Sequence, residues 1–495
     1  MKSSYSFKLL IIFCSHYLTT LPLVKCKNIT RIGIVGGGIG GTSCAYFLNS
    51  LFKKNTIKID LYEAEKIGGR LSVVNFSDNL YEEGGSIIHS RNNYMTGFLK
   101  EFNLNKREPS PGHFALYDGK NFVFSENEWT YRTMIDVVWR YGLNFFKLKN
   151  YIEDMLDKFD KIYHLQSLGK TYDNVGSLMS AMHDDFKKFL QLSTRNGFKS
   201  AGISDIVIDE IIMATIRVNY GQNLKIHKMV GSVSVAGVSG NMWSVAGGNY
   251  KIPENLLKTS GANLLQEIVT HIKKLPSGEI QIDTLKKSND TQENGKIYDV
   301  VVLAAPQYPN TKYKINFDNF DNNINFNGQY HRTVCTLIEG NLREDYFQNK
   351  NSIVDEILTI KEGLLFNSLG RITPVEPINE ESKKVWKIFT QKKLKDKEIS
   401  DLFSNISNIY VKDWLAYPHY TSKTSPGNST FILDSNLYYI NAIEWAASAM
   451  EMSAIGAKNV ALLIYNKFIN NDNKLSLDSE FTTDDTSSKF FTEEL

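Results

Sequence analysis

Three glycines, an acid and an arginine have the types and spacing needed to hold a dinucleotide. Gly36, Gly38 and Gly41 satisfy G-x-G-x-x-G within Gly36-Gly37-Gly38-Ile39-Gly40-Gly41. In such a loop the first glycine permits the tight turn, the second lets backbone approach a pyrophosphate, and the third lets a helix pack close to a strand. Glu63 follows Gly36 by 27 residues and is placed to take the hydroxyls of an adenosine ribose. This chemistry is recognition of phosphate and sugar; no nucleophile motif and no metal motif accompanies it.

The elements that must position these residues are legible around them. Arg31-Ile32-Gly33-Ile34-Val35 is short and β-branched, as a buried parallel strand should be. A helix from about Ile39 to Phe52 follows, and its N-terminus offers free N–H groups and a positive dipole end to phosphate. A second strand, Ile57 to Tyr62, ends at Glu63 and completes a βαβ unit. The continuation Ile67-Gly68-Gly69-Arg70-Leu71-Ser72 resembles the G-G-R segment of flavoproteins of the amine oxidase and phytoene desaturase type. That resemblance implies FAD, with Gly69 and Arg70 near the pyrophosphate. Glu82-Glu83-Gly84-Gly85-Ser86 resembles the same class's acid-x-Gly-Gly stretch, which places Gly84, Gly85 and Ser86 beside the flavin.

The 495 residues allow two or three domains and a large core. Composition is that of a globular protein, and 56 basic against 54 acidic residues leave +2, which argues against nucleic acid or an anionic membrane as partner. Residues 1–27 read as a signal peptide: Lys2 and Lys8 precede the apolar run Leu9 to Cys14. Beyond it no apolar run reaches the ~18–20 residues of a spanning helix. Sequons at Asn28, Asn75, Asn289, Asn405 and Asn428 suit a luminal, glycosylated chain. Four cysteines, at 14, 26, 44 and 335, form no disulfide framework.

The predicted fold is α/β, a Rossmann-type FAD-binding domain interleaved with a substrate domain that carries a helical insertion. Residues 28–100, 231–306 and 408–470 are assigned to the FAD-binding domain, 101–230 and 307–407 to the substrate or cap domain, and 471–495 to a flexible acidic tail. In the cap, Val138, Tyr141, Phe145, Leu148, Ile152, Met155, Phe159 and Ile162 predict one amphipathic helix facing the core. A second helix is predicted near Ser204 to Val218. Leu264 to Ile272 resembles the strand whose valine, here Val269, packs on the adenine. Tyr298 to Pro306 reads as a buried strand, and Leu437 to Ile440 as a strand leading through Glu444 to a helix at Met450. In the wider class that block closes over the ribityl chain and flavin ring, which makes Glu444 and Met450 cofactor contacts. No second G-x-G-x-x-G appears, so a separate nicotinamide domain is not expected.

Four stretches together resemble the prenylcysteine oxidase family: Tyr81 to His89, Val218 to Gln222, Trp414 to Tyr420 and Ala446 to Ala454. The likeness runs from about Thr30 to Lys467. It implies a lysosomal, glycosylated FAD enzyme that cleaves the thioether of farnesyl- or geranylgeranyl-cysteine with O2, giving prenyl aldehyde, cysteine and hydrogen peroxide; secretion is the alternative address. The reacting carbon is allylic and bonded to sulfur, so the substrate itself spreads the charge that develops as hydride leaves, and the cofactor carries the hard step. His89 and His227 are candidates for polarising a water or binding the cysteine carboxylate; the ordinary alternative for each is a hydrogen-bonded or surface histidine. Trp243 and Tyr220 are candidates for lining a prenyl channel or, equally, for core. Two other readings stand beside this one: an oxidase of another amine or thioether, and a luminal lipid-binding protein without turnover.

Overall fold

The computed structural model describes residues 29–108, 112–240, 242–286, 292–326, 328–347, 354–376, 384–421 and 429–477. The expected signal peptide, Asn28, Asn289, Asn428 and residues 478–495 lie outside them.

The strand Thr30–Val35 is central in a six-stranded sheet because both its faces are apolar and covered. It pairs in parallel with Ile57–Tyr62 on one side, Ile32 opposite Ile59, and with Val300–Leu303 on the other, Ile32 opposite Val300. Asn263–Leu265 extends one edge, and Leu437–Tyr439 with Ile432–Asp434 extends the other. Backbone bonds carry the ladder past the strand ends: Gly36 N–H donates to Tyr62 O (2.8 Å), Glu63 N–H to Leu265 O (3.0 Å) and Ala304 N–H to Val35 O (2.8 Å). The carboxyl edge is therefore rigid where the glycine loop leaves it. Against this sheet the helix Ile39–Leu51 packs on the final helix, Met450–Leu477, through small buried residues that include Cys44, Ala45, Ala454 and Ala457.

A second sheet of seven strands forms the floor of the other unit, ordered Phe403–Pro418, Tyr330–Leu342, Val385–Thr390, Ser368–Ile372, Glu356–Thr359, Phe114–Tyr117 and Phe122–Ser125. Phe403–Pro418 pairs along its length with Tyr330–Leu342, from Leu342 opposite Phe403 to Tyr330 opposite Pro418. This corrects the boundary expected at 408: residues 408–418 belong to the seven-stranded sheet, and the chain re-enters the six-stranded sheet at Ile432. The predicted strand Leu264 to Ile272 is likewise two. Asn263–Leu265 stays in the parallel sheet, whereas Ile268–Lys274, with buried Val269, joins a separate four-stranded sheet.

Helices between Thr130 and Val235 cover the seven-stranded sheet. The long apolar stripe does not form one helix: Gly142, at φ 59°, ends Thr130–Tyr141, and a new helix runs Asn144–Phe159. The break resets the helical phase. Tyr141, Leu148, Ile152, Met155 and Ile162 are buried, but Val138 is 43% exposed and Trp139 90%. The predicted helix near Ser204 to Val218 spans Asp205–Val207, a π-turn at Ile208–Ile212 and Met213–Tyr220. The final helix continues through Leu477, past the tail boundary expected at 470.

Buried acids tie distant segments together. Glu451, in the first turn of the final helix, accepts from the backbone N–H groups of Tyr94 (2.8 Å) and Met95 (3.0 Å) and from the Tyr163 hydroxyl (2.8 Å). It thus caps the helix Asn93–Glu101 and ties it to the cap helix Lys161–Ser167. Glu82 accepts from Asn249 N–H at 2.7 Å. Burial pushes both carboxyls up to about 7. A carboxyl raised from 4.5 to about 7 retains in the folded state a proton that the unfolded chain releases, so its contribution is present below about 4.5 and is lost as pH rises through 7. Glu451→Gln, neutral at every pH, should gain on the native chain by about 3 kcal/mol between pH 4.5 and 8. Denaturant titrations of both proteins across that range check this; a pH-independent difference would refute it.

Candidate cofactor site and substrate cleft

The glycines of the loop are required for different reasons. Gly36 has φ 113°, and a Cβ there would lie 2.8 Å from the Ala304 carbonyl. A Cβ on Gly41 would lie 1.9 Å from Gly36 O, so the helix could not approach the strand. Gly38 is under no such demand from the chain: a Cβ there would meet nothing nearer than Gly68 O, at 3.8 Å. Gly38 is also the N-cap of the helix Ile39–Leu51 and supplies no side chain to its first-turn N–H groups. Open space beside uncapped N–H donors fits a pyrophosphate. Glu63 stands at the end of its strand, accepting from Gly37 N–H (2.7 Å) and Glu65 N–H (2.6 Å). Gly68 N–H donates to Gly37 O (2.9 Å), strapping the segment with Gly69 and Arg70 across the loop. These residues fit the ADP half of FAD, with Gly38 and the helix start toward phosphate and Glu63 toward ribose.

Arg70 and Glu444 form an ion pair at the junction of the two units. Glu444 is fully buried in the 3-10 turn Ile440–Trp445 that follows the strand Leu437–Tyr439. Its carboxylate takes both Nη atoms of Arg70, the Tyr330 hydroxyl (2.8 Å) and the Asn441 amide (2.7 Å). Arg70 also donates to Ala416 O (2.8 Å) on the long strand of the seven-stranded sheet. Burial works against the guanidinium's charge, but the Glu444 carboxylate outweighs it and holds Arg70 above its ordinary value. Glu444, expected beside the cofactor, contacts Arg70, Tyr330 and Asn441, and orients the arginine.

Gly84 and Gly85 pass over this junction. Gly85 N–H donates to Arg70 O (3.1 Å), and a Cβ on Gly84 would meet that carbonyl at 2.0 Å and the Trp414 ring at 2.9 Å. Gly85 is exposed and Ser86 half-buried, with the Met450 methyl 4.0 Å from a Gly85 Cβ position. The acids before them are structural: Glu82 binds Asn249, and Glu83 binds Ser72, Tyr410 and Lys412.

An open cleft of about 1300 Å³ lies beside the junction, bordered by Met213, Arg217, Ile360, His331, His419 and Tyr420 among others. Tyr420 belongs to both places. It lines the cleft, while its hydroxyl donates to Glu444 O (2.9 Å) and accepts from Ser448 N–H (2.8 Å). Tyr220 packs edge-on against Tyr417 and Tyr420 and donates to Ser448 O (2.9 Å).

The two histidines chosen from sequence do not line this cleft. His227 is fully buried behind Tyr420, its Nε2 3.0 Å from Trp445 O and its Nδ1 without a partner among the described residues; burial lowers it to about 4, so it is a neutral, weak base. His89 lies with Nε2 3.0 Å from the Ser239 hydroxyl and accepts from Arg91 N–H at Nδ1. Trp243 is buried beside Ile88 on the strand Met242–Val245. His331, Arg217 and Tyr420 were not singled out. Arg217 and Tyr420 border or fall within the stretches Val218 to Gln222 and Trp414 to Tyr420, so the signal was family likeness, not residue type. Of the sequons, Asn75 and Asn405 are exposed.

The parallel sheet, glycine loop and Arg70 strap define a Rossmann-type FAD-binding unit joined to a second unit of sheet and helices. Solved structures share the fold. A triple mutant of putrescine oxidase gives a TM-score of 0.58 at 12% identity over 89% of this chain and 99% of that one. Cyclohexylamine oxidase from Brevibacterium oxydans gives 0.57 at 12% over 89% and 100%. A family model described as an NAD(P)-binding Rossmann-like domain matches residues 34–102, and one described as prenylcysteine lyase matches 124–478. Prenylcysteine oxidase 1 of Mus musculus is 37% identical over 465 residues, 90% of this chain and 91% of its own. The Homo sapiens protein of that name is 37% identical over 456 residues, 88% and 89%. Prenylcysteine oxidase 1-like of Bos taurus is 31% identical over 457 residues, 90% and 92%. The chain belongs to the prenylcysteine lyase family.

Two outcomes follow for the site. Gly38→Val should fold with a thermal midpoint close to that of the native apoprotein yet purify without flavin, whereas Gly41→Val, meeting Gly36 O, should fail to fold; flavin absorbance and circular dichroism on both variants check the contrast. Glu444→Ala leaves the half-buried Arg70 without its counter-ion and the Tyr330 and Asn441 donors without their acceptor, and should lower stability by about 1–3 kcal/mol in urea unfolding.

Proposed function

We propose that this protein is an FAD-dependent oxidase that cleaves the thioether of prenylcysteines. O2 and water are consumed, and prenyl aldehyde, cysteine and hydrogen peroxide are released, in the breakdown of prenylated proteins. The observation that carries this reading is the wall shared by cradle and cleft: Tyr420 lines the cleft and bonds both Glu444 and Ser448. The names of the relatives supply the substrate class. When bound, FAD would accept hydride from the sulfur-bonded carbon and pass the electrons to O2.

The chain's own part is to bind, orient and keep dry. Gly38 and the uncapped helix start would bind pyrophosphate, and Glu63 the ribose. Arg70, fixed by Glu444 and Ala416, would set the angle at which the cofactor meets the second unit. Tyr420 directs its hydroxyl into the protein, so the ring it leaves toward the cleft is apolar surface suited to an isoprenoid chain, and Tyr220 packs behind it. His331 at the cleft is lowered to about 4, mainly by burial, and stays neutral at working pH, able to orient a water without carrying charge.

For location the reading is the secretory pathway, with the lysosome as destination. It is supported by the exposed sequons at Asn75 and Asn405. It is supported also by Glu82 and Glu451, buried carboxyls that keep their protons in an acidic lumen. No helix among the described residues is long and apolar enough to cross a membrane.

Purified yellow protein given farnesylcysteine should release peroxide and farnesal, and should not do so with putrescine or cyclohexylamine. Deuterium at the sulfur-bonded carbon should slow anaerobic flavin bleaching, and the aldehyde oxygen should derive from labelled water. Label from O2 in the aldehyde, or turnover of the amines alone, would overturn the assignment.

A further inference from the structure

Arg217 is 2% exposed, yet it lines the cleft. Every partner it has is neutral: Nε donates to the Thr359 hydroxyl (2.6 Å), and Nη2 donates to Asn367 Oδ1 (2.8 Å) and Phe366 O (3.3 Å). Nη1 makes no hydrogen bond, and Arg217 has no ion pair, among the described residues. A buried guanidinium is ordinarily paired, because taking its charge out of water costs several kcal/mol.

The carboxylates around the cleft do not supply the missing charge, since each is engaged elsewhere. Asp118 pairs with Lys361 (3.1 Å), Asp209 with Arg195, and Glu210 with Arg140 (2.6 Å) and the Tyr141 hydroxyl (2.9 Å). Glu362 is exposed and accepts from the Asn223 amide (2.8 Å). Burial lowers Arg217 to about 10, with Glu362 opposing the shift only in part. An anion entering the cleft would find one cation that is both desolvated and unneutralised.

The position matches the amino-acid end of a thioether substrate. Arg217 lies on the helix Met213–Tyr220, three residues before Tyr220, or about 4.5 Å along the axis. Tyr220 reaches Ser448, which lies 3.4 Å from Arg70 Nη1. Thus one helix links the guanidinium to the cofactor junction. Met213, Leu224, Ile226 and Ile360 supply apolar surface in the same cleft.

We propose that Arg217 anchors the α-carboxylate of the S-alkyl cysteine substrate through the free side of its guanidinium. The proposal rests on the prenylcysteine reading, and it gives the cleft a polarity: carboxylate at Arg217, thioether toward Tyr420, whose hydroxyl bonds Glu444 and Ser448.

Equilibrium dialysis of farnesylcysteine and its methyl ester against the holoenzyme, held anaerobic with its flavin chemically reduced so that neither is consumed, tests it, with peroxide release from parallel aerobic samples reporting turnover. The acid should bind about 10- to 100-fold more tightly than the ester, the range of a hydrogen bond to a charged group. Arg217→Met should abolish that preference by weakening the acid alone, raising its KM while leaving kcat within about threefold. Arg217→Lys keeps the charge without the fork and should keep a smaller preference, which holds the test open if Arg217→Met does not fold. Equal affinity of acid and ester for the native protein, or an unchanged ratio in the variants, overturns the anchor. Carboxylate-dependent binding with no peroxide from either compound upholds the anchor and overturns the oxidase reading.

Discussion

The ion pair between half-buried Arg70 and fully buried Glu444 is the constraint on which the site depends. Its members lie 374 positions apart, on the segment after the second parallel strand and on the turn after the last one. Such a pair is a poor source of net stability, because desolvating two charges offsets their attraction. Its value is positional. Glu444 holds Arg70 and accepts from Tyr330 and Asn441, and Arg70 in turn donates to Ala416 O of the neighbouring sheet. The geometry between nucleotide cradle and second unit is therefore set by charge-assisted, directional bonds in addition to the apolar core that runs through both.

A similar logic governs the other buried charges. Glu451 ties two helices of different units, and Glu83 ties the glycine ribbon to Tyr410 and Lys412. Lys228 is held among the rings of Tyr151, Phe189 and Phe198, with Gly197 O as its acceptor. Glu451 and Glu83 are engaged on both carboxylate oxygens, and Lys228 does not border the cleft. Arg217 stands apart because its neutral partners leave one edge of the guanidinium toward the cleft.

The helical cap shows why local pattern misleads about continuity. The stripe from Val138 to Ile162 has helical spacing throughout, but Gly142 takes a positive φ that ends the first helix and starts the next at a different phase. Spacing reports which residues share a face only while the backbone remains one helix. The break at 266–267 has the same character: Val269 continues the apolar run of Leu264 and Leu265, yet it lies in another sheet.

Some properties follow from sequence alone because they are set by residues close together in the chain. The βαβ unit, the separate duties of Gly36, Gly38 and Gly41, the acid at the strand end and the strap through Arg70 all depend on local backbone sterics and on a helix N-terminus. Other features depend on distant segments meeting, and no spacing rule foretells them. Tertiary structure alone paired Arg70 with Glu444 and placed residues 408–418 in the seven-stranded sheet. It also buried His227 behind Tyr420, and it left Arg217, not a histidine, as a buried cation at the cleft with no ion pair among the described residues. The reason is physical: whether a polar side chain is a ligand or a strut is decided by which partners satisfy it, and those partners come from the fold.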